Sequence, residues 1–140
     1  SAILFDYSHK NGAPRYGTLN RTEWELGEFP IFALEASYQP IRGLFKTQVS
    51  SLAKYLGVSE DIQNRIPKID TWQGKDYEIM RSRLIEIGID VVDQILAYNL
   101  DHDKNVKEIA EFGFSQEDVE FVFEVKKKNY YKKELPFLVD

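Results

Sequence analysis

The sequence has 140 residues, 43% of them hydrophobic, 14% aromatic and 29% charged. These values exclude a disordered chain and suit one globular domain with a core of its own. A net charge of −5 argues against general attraction to nucleic acid or anionic membrane, and no apolar run approaches the roughly 20 residues of a membrane helix.

Cysteine is absent, which removes disulfides, thiol nucleophiles and sulfur-ligated zinc from consideration and fits a cytoplasmic protein. The first ten residues, SAILFDYSHK, lack the basic start and long apolar stretch of a signal peptide. They open with an amphipathic segment already under way, as if the chain started inside a domain.

Residues 2–11 read as the end of a helix closed by Asn11-Gly12. Ala13 to Tyr16 is a short candidate strand, weakened by Pro14, and its pairing partners are expected outside this chain. Gly17 turns the chain, and a helix is predicted from near Asn20 to near Gly27. Residues 28–43, with Pro30, Pro40 and Gly43, read as a long loop of the functional kind. LFKTQVSSLAKYLG (44–57) is an amphipathic helix with Leu44, Phe45, Val49, Leu52, Ala53 and Leu56 on one face. Ser59 can cap a short helix that Pro67 stops, and residues 66–75 form another loop. Helices are then predicted over 76–88, from Asp90 as a cap through Leu100, over 106–113, and from Ser115 through Lys133, ended by Leu135-Pro136. The expectation is one strand and roughly six or seven helices.

The stretch GTLNRTEWELG, residues 17–27, carries two readings. Asn20 with Glu23 fits a capping box, as does Thr22 with Glu25. The same geometry places a hydroxyl beside a helix N-terminus that favours phosphate, with a carboxylate one turn on that can hold Mg²⁺. Residues 105–125 have the outline of a helix-turn-helix, but QEDVEFVFE puts four acidic residues in nine where DNA phosphates would lie. KKKNYYKKELP interleaves five lysines with Tyr130 and Tyr131, which is a solvated helix end or a place for phosphate or a stacked base. His9 and His102 stand alone and suit surface roles. No GxxxxGK[ST], GxGxxG or SGGxDS-type phosphate loop is present.

Taken in order, these segments resemble the C-terminal half of the ammonia-dependent NAD synthetases, a family of ATP-pyrophosphatase-type ligases. GTLNRTE resembles G-T-x-N-x-[ST]-E, and PIRGLFKTQVSSLAKYLGV resembles P-[IL]-x-x-L-x-K-[TS]-x-V-x-x-[LI]-A-x-x-[LI]-G-V. RIPKIDTWQG, GIDVVDQIL and YYKKELP resemble later family segments, and ILFDYSHKNG resembles the helix before the central strand. The resemblance implies an α/β fold: residues 1–140 would be one partial domain, the mostly helical C-terminal part of a Rossmann-like ATP-pyrophosphatase fold. About one sheet strand would lie in this chain, and the phosphate-binding loop outside it.

The resemblance also implies chemistry. ATP and Mg²⁺ would adenylate the carboxylate of nicotinic acid adenine dinucleotide or a related acidic nucleotide, and ammonia would amidate it, in a cytoplasmic homodimer. Thr18 and Arg65 would contact ATP, Glu23 would hold Mg²⁺, and Lys132, Lys133 and Glu78 would meet the substrate. No protein nucleophile is implied, so no catalytic residue is assigned. The family's GYFTKYGD loop appears as GEFPIFAL, with Ile31 at the lysine position and Leu34 at the aspartate position. Its Q-[ST]-D-E loop appears as KDYE, and the histidine before the C-terminal lysine is Tyr131. The ATP side is thus better kept than the substrate side. A non-catalytic binding or oligomerisation module is the alternative, with the helix-turn-helix as a third.

Overall fold

The computed structural model describes residues 2–30, 36–65 and 75–134. Eight helices are set among them: α1 (Ala2–Asn11), α2 (Arg21–Leu26), α3 (Lys46–Tyr55), α4 (Glu60–Gln63), α5 (Lys75–Ile87), α6 (Ile89–His102), α7 (Val106–Glu111) and α8 (Gln116–Lys128). A 3₁₀ turn over Tyr130–Lys133 follows α8.

The core is organised around α6. Val92, Ile95 and Leu96 repeat at helical spacing and are fully buried. They meet the matching stripe of α8, Val119, Val122 and Val125, together with Ile109 of α7, Leu84 of α5, Leu26 of α2 and Phe45 just before α3. Helix α6 therefore packs against α2, α3, α5, α7 and α8. Each such aliphatic side chain stabilises the fold by about 1.5–3 kcal/mol when removed from water.

Local signals set most helix ends. Asn20 caps α2 and Gly27 closes it in the left-handed region at φ 66°. Asn105 caps α7 in a capping box with Glu108, and Ser115 accepts from the Asp118 amide at the start of α8. Helix α1 ends at Asn11 with Gly12 at φ 58°, as its sequence predicts.

Four expectations need correction. Residues 13–16 form no strand, and the described residues contain only an isolated parallel bridge between Tyr16 and Tyr38. Its partner lies inside this chain, within the 28–43 loop, and is held by Gly17 N–H donating to Tyr38 O and Tyr38 N–H donating to Arg15 O. Asp90 is not the cap of α6, because Gly88 occupies that position and Asp90 falls in the first turn. The last helix stops at Lys128, where Asn129 leaves helical geometry and a tighter turn begins. Leu135 and Pro136 lie outside the described residues. Finally, the apolar face of α3 is only partly used: Phe45 is buried, whereas Leu52 and Leu56 are exposed.

Candidate active site

The turn at Gly17-Thr18 feeds directly into α2. A Cβ at Gly17 would come within 2.9 Å of the Ala36 Cβ, so the close crossing of these two segments requires glycine. Asn20 Oδ1 accepts from the Glu23 amide at 2.9 Å, and Glu23 Oε2 accepts from the Asn20 amide at 3.1 Å. The capping reading of GTLNRTE is thereby met by Asn20 and Glu23. Glu23 is not used up by it: Oε1 faces Lys46 Nζ at 3.6 Å, too long for a hydrogen bond.

A cleft of about 620 Å³ opens beside this turn. Thr18, Glu23 and Glu28 line it with Phe29, and Leu4 and Tyr7 of α1 line it too. Thr18 is exposed, so its hydroxyl is free to meet a ligand in the cleft. Glu28 is largely buried, and burial pushes its carboxyl above the ordinary 4.5. Arg81 opposes that shift, Glu23 adds to it, and Lys46 and Lys132 oppose it more weakly.

The C-terminal turn is fastened to the end of α2. Asn129 Nδ2 donates to Leu26 O at 2.8 Å, and Lys132 Nζ donates to Gly27 O at 2.7 Å and Phe29 O at 3.2 Å. Carbonyls that a helix end leaves open are thus satisfied by side chains from over 100 positions later in the chain. Burial pushes the Lys132 ammonium below its ordinary value, and Glu28 pulls it back up. Lys133 Nζ bonds Glu25 Oε2 at 2.6 Å with both side chains nearly buried. Trp24 stacks on Phe29 with centroids 5.3 Å apart, and Arg42 covers the Trp24 ring at 3.5 Å.

The residues singled out from the sequence therefore divide. Thr18 and Glu23 share the cleft. Lys132 is adjacent, but its ammonium serves the Gly27 and Phe29 carbonyls, and Lys133 serves Glu25. Arg65, just past α4, and Glu78, on α5, are exposed and do not line the cleft. Ile31 and Leu34 of GEFPIFAL, and residues 66–74, lie outside the described residues. Tyr77 of KDYE accepts from Arg81 Nη1 at 3.3 Å. His9 and His102 are exposed, beside Phe5 and Tyr98. Helices α7 and α8 pack together as a pair, and Asp118 at the start of α8 is bound to Arg83 at 2.6 Å.

A buried polar knot that no local sequence pattern announces lies beneath this site. Asp93 of α6 is 4% exposed. Its Oδ1 accepts from Thr22 Oγ1 at 2.5 Å, and its Oδ2 accepts from both the amide and the hydroxyl of Thr47 at 2.8 Å. Thr22 Oγ1 accepts in turn from the Lys46 amide at 2.8 Å. The first amides of α3 are therefore capped by α2 and α6, and the negative carboxylate suits that N-terminus. Thr22 is thus a cross-helix link rather than the start of a second capping box. The available signal was an aspartate within the apolar run VVDQIL, adjacent to the buried stripe.

The NAD synthase family model matches residues 1–136. The chain belongs to the NAD synthase family. It is 31% identical to the NH(3)-dependent NAD(+) synthetase of Fusobacterium nucleatum, over 98% of this chain and 52% of that protein. It is 37% identical to the NH(3)-dependent NAD(+) synthetase of Pyrococcus horikoshii, over 96% of this chain and 52% of that protein. The chain thus spans about half the length of the curated relatives it matches. Among solved structures, the NH3-dependent NAD synthetase of Campylobacter jejuni superposes with a TM-score of 0.70 at 21% identity, covering 99% of this chain and 51% of its own. The NMN synthetase of Francisella tularensis superposes with a TM-score of 0.69 at 25% identity, covering 99% and 52%. The mostly helical architecture fits a fragment of that fold. No helix among the described residues is long and apolar enough to cross a membrane.

Proposed function

We propose that this chain is the C-terminal half of an ATP-dependent amidating ligase that adenylates the carboxylate of an acidic pyridine nucleotide and then transfers ammonia to it. The observation that carries this reading is the joint presence of Thr18 and Glu23 on one cleft, at the capped start of α2, in a member of the NAD synthase family. The relatives' names point to nicotinic acid adenine dinucleotide as substrate, or to the corresponding mononucleotide.

Such a reaction needs no nucleophile from the protein. The substrate carboxylate attacks the α-phosphorus of ATP and pyrophosphate leaves, after which ammonia displaces AMP from the acyl-adenylate. The protein's task is alignment and stabilisation of phosphate charge. Thr18 offers a hydroxyl donor to a phosphate oxygen. Among the described residues no cluster of three His, Cys, Asp or Glu could hold a metal. Mg²⁺ nevertheless fits Glu23, because that ion keeps waters and phosphate oxygens and needs only one or two carboxylates. Bound there, it would neutralise charge on the triphosphate. Lys132 and Lys133 hold the start of the substrate loop through Gly27, Phe29 and Glu25. Arg65 and Glu78 do not line this cleft, and their proposed contacts to phosphate and substrate rest on the family resemblance.

The phosphate-binding loop comes from the remaining half of the fold, and a homodimer is the assembly expected of the family. The test is pyrophosphate release from Mg·ATP, with ammonium and each of the two acidic nucleotides, by the protein that carries this chain with that other half. Release that depends on an acidic nucleotide supports the reading, whereas none with either would sink it. The 140-residue chain by itself is expected to release none.

A further inference from the structure

Glu23 meets Lys46 beside the cleft, yet neither side chain holds the other there. Their closest atoms are 3.6 Å apart, and the two side chains are 30% and 40% exposed. An exposed ion pair of this kind contributes little and does not by itself fix two long side chains in one geometry. What fixes them lies one residue away on each element. Thr22, which precedes Glu23, donates its hydroxyl to Asp93 Oδ1. Thr47, which follows Lys46, donates both its amide and its hydroxyl to Asp93 Oδ2. The Lys46 amide closes the ring by donating to Thr22 Oγ1 at 2.8 Å. Thr22 and Asp93 are buried, and neither lines the cleft.

We propose that Asp93 is a positioning residue for the candidate site: through Thr22 and Thr47 it sets where the Glu23 carboxylate and the Lys46 ammonium stand relative to each other. Glu23 Oε2 is taken by the Asn20 amide, so Oε1, the oxygen that faces Lys46, is the one left for a cation. Groups that orient a metal-binding side chain from behind matter nearly as much as the side chain itself. Without the Asp93 carboxylate, α2 and α3 keep a tie from Arg21 N–H to Leu44 O at 2.8 Å. That tie holds the chain ahead of α3 but not the first turn of the helix, where Lys46 sits, so the ammonium drifts away from the carboxylate. The proposal rests on the ligase reading in one respect, that Glu23 holds Mg²⁺ when ATP is bound.

Two measurements test it. In the full 140-residue chain, a carbodiimide activates exposed carboxylates and joins them to ammonium groups in contact, and mass spectrometry of the digested protein counts the Glu23–Lys46 amide. The Lys104–Glu108 pair at the start of α7, 3.0 Å apart, serves as the reference within each sample. Relative to it, Asp93→Asn and Thr22→Val should each lower the Glu23–Lys46 product severalfold, and Thr22→Ser, which keeps the hydroxyl, should restore most of it. In the complete ligase, Asp93→Asn and Thr22→Val should raise the Mg²⁺ concentration for half-maximal pyrophosphate release about tenfold, with the KM for the acidic nucleotide unchanged. Loss of folded protein alone would lower kcat and leave the Mg²⁺ requirement where it was. No Glu23–Lys46 product in the unchanged chain, an unchanged ratio in either variant, or a fall in kcat at an unchanged Mg²⁺ requirement overturns the proposal. No pyrophosphate release by the unchanged ligase would end the ligase reading alone, and the cross-link ratio would still decide the role of Asp93.

Discussion

Replacing Asp93 by alanine removes the carboxylate on which three helices converge. Three hydrogen bonds end on it, from Thr22 Oγ1, Thr47 N and Thr47 Oγ1, at 2.5 to 2.8 Å. Hydrogen bonds to a charged group contribute about 1.5–3 kcal/mol each, but bonds within one network do not add in full. The change also leaves the Thr47 amide at the start of α3 without its acceptor. A loss of about 3–5 kcal/mol is expected, a large part of the roughly 5–15 kcal/mol that holds a domain together. Urea unfolding followed by far-ultraviolet circular dichroism measures it. Thr22→Val should lose about 2 kcal/mol, since it breaks the Asp93 and Lys46 links together. The two changes combined should lose less than their sum, by about 1 kcal/mol or more. A loss below about 1 kcal/mol for Asp93→Ala, or strict additivity with Thr22→Val, would refute the idea that this knot fastens α2 and α3 to α6.

Gly27→Ala should destabilise by about 2–4 kcal/mol, because φ is 66° and the new Cβ would lie 2.4 Å from the Asn129 Cβ; Asn129→Gly should relieve only the second part. Lys133→Met should lose about 2 kcal/mol by leaving the nearly buried Glu25 only Lys126, whose ammonium stands 4.0 Å away, and adding Glu25→Leu should recover part of it in the same unfolding assay. Glu28 titrates higher in the folded chain than unfolded, so it binds more protons when folded, and stability falls as pH rises from 4.5 through its raised value. Glu28→Gln should remove that falling component, seen by subtracting the two stability-versus-pH curves; identical curves would contradict it. Glu23→Ala should lose about 1 kcal/mol of capping and most of the Mg·ATP-dependent turnover of the complete ligase, whereas unchanged turnover would leave Glu23 only a cap.

What could be read from the sequence was what neighbours in sequence decide. Asn20, Glu23 and Gly27 lie within eight positions and announce one short capped helix, and the structure builds that helix. The buried stripe of α8 follows from its own spacing. Asp93 was not legible in this way, because its partners are 71 and 46 positions away and nothing local pairs them. The lysines of the C-terminal turn looked like a solvated end or a phosphate grip. Their actual acceptors, Gly27, Phe29 and Glu25, become visible only once α8 is laid across α2. The strand at 13–16 failed for a related reason: a ladder needs partners, and these residues find one bridge at Tyr38. Family motifs carried further than spacing, since six weak segments in a fixed order identified a family that no one of them could.

The most direct test of the amidation chemistry is product stoichiometry with nitrogen-15 ammonium, using the complete ligase, Mg·ATP and an acidic pyridine nucleotide. AMP, pyrophosphate and the nitrogen-15 carboxamide are expected in equal amounts, and all three should fall together in Glu23→Ala. ADP and phosphate in place of AMP and pyrophosphate, or ATP cleavage with no labelled amide, would contradict it.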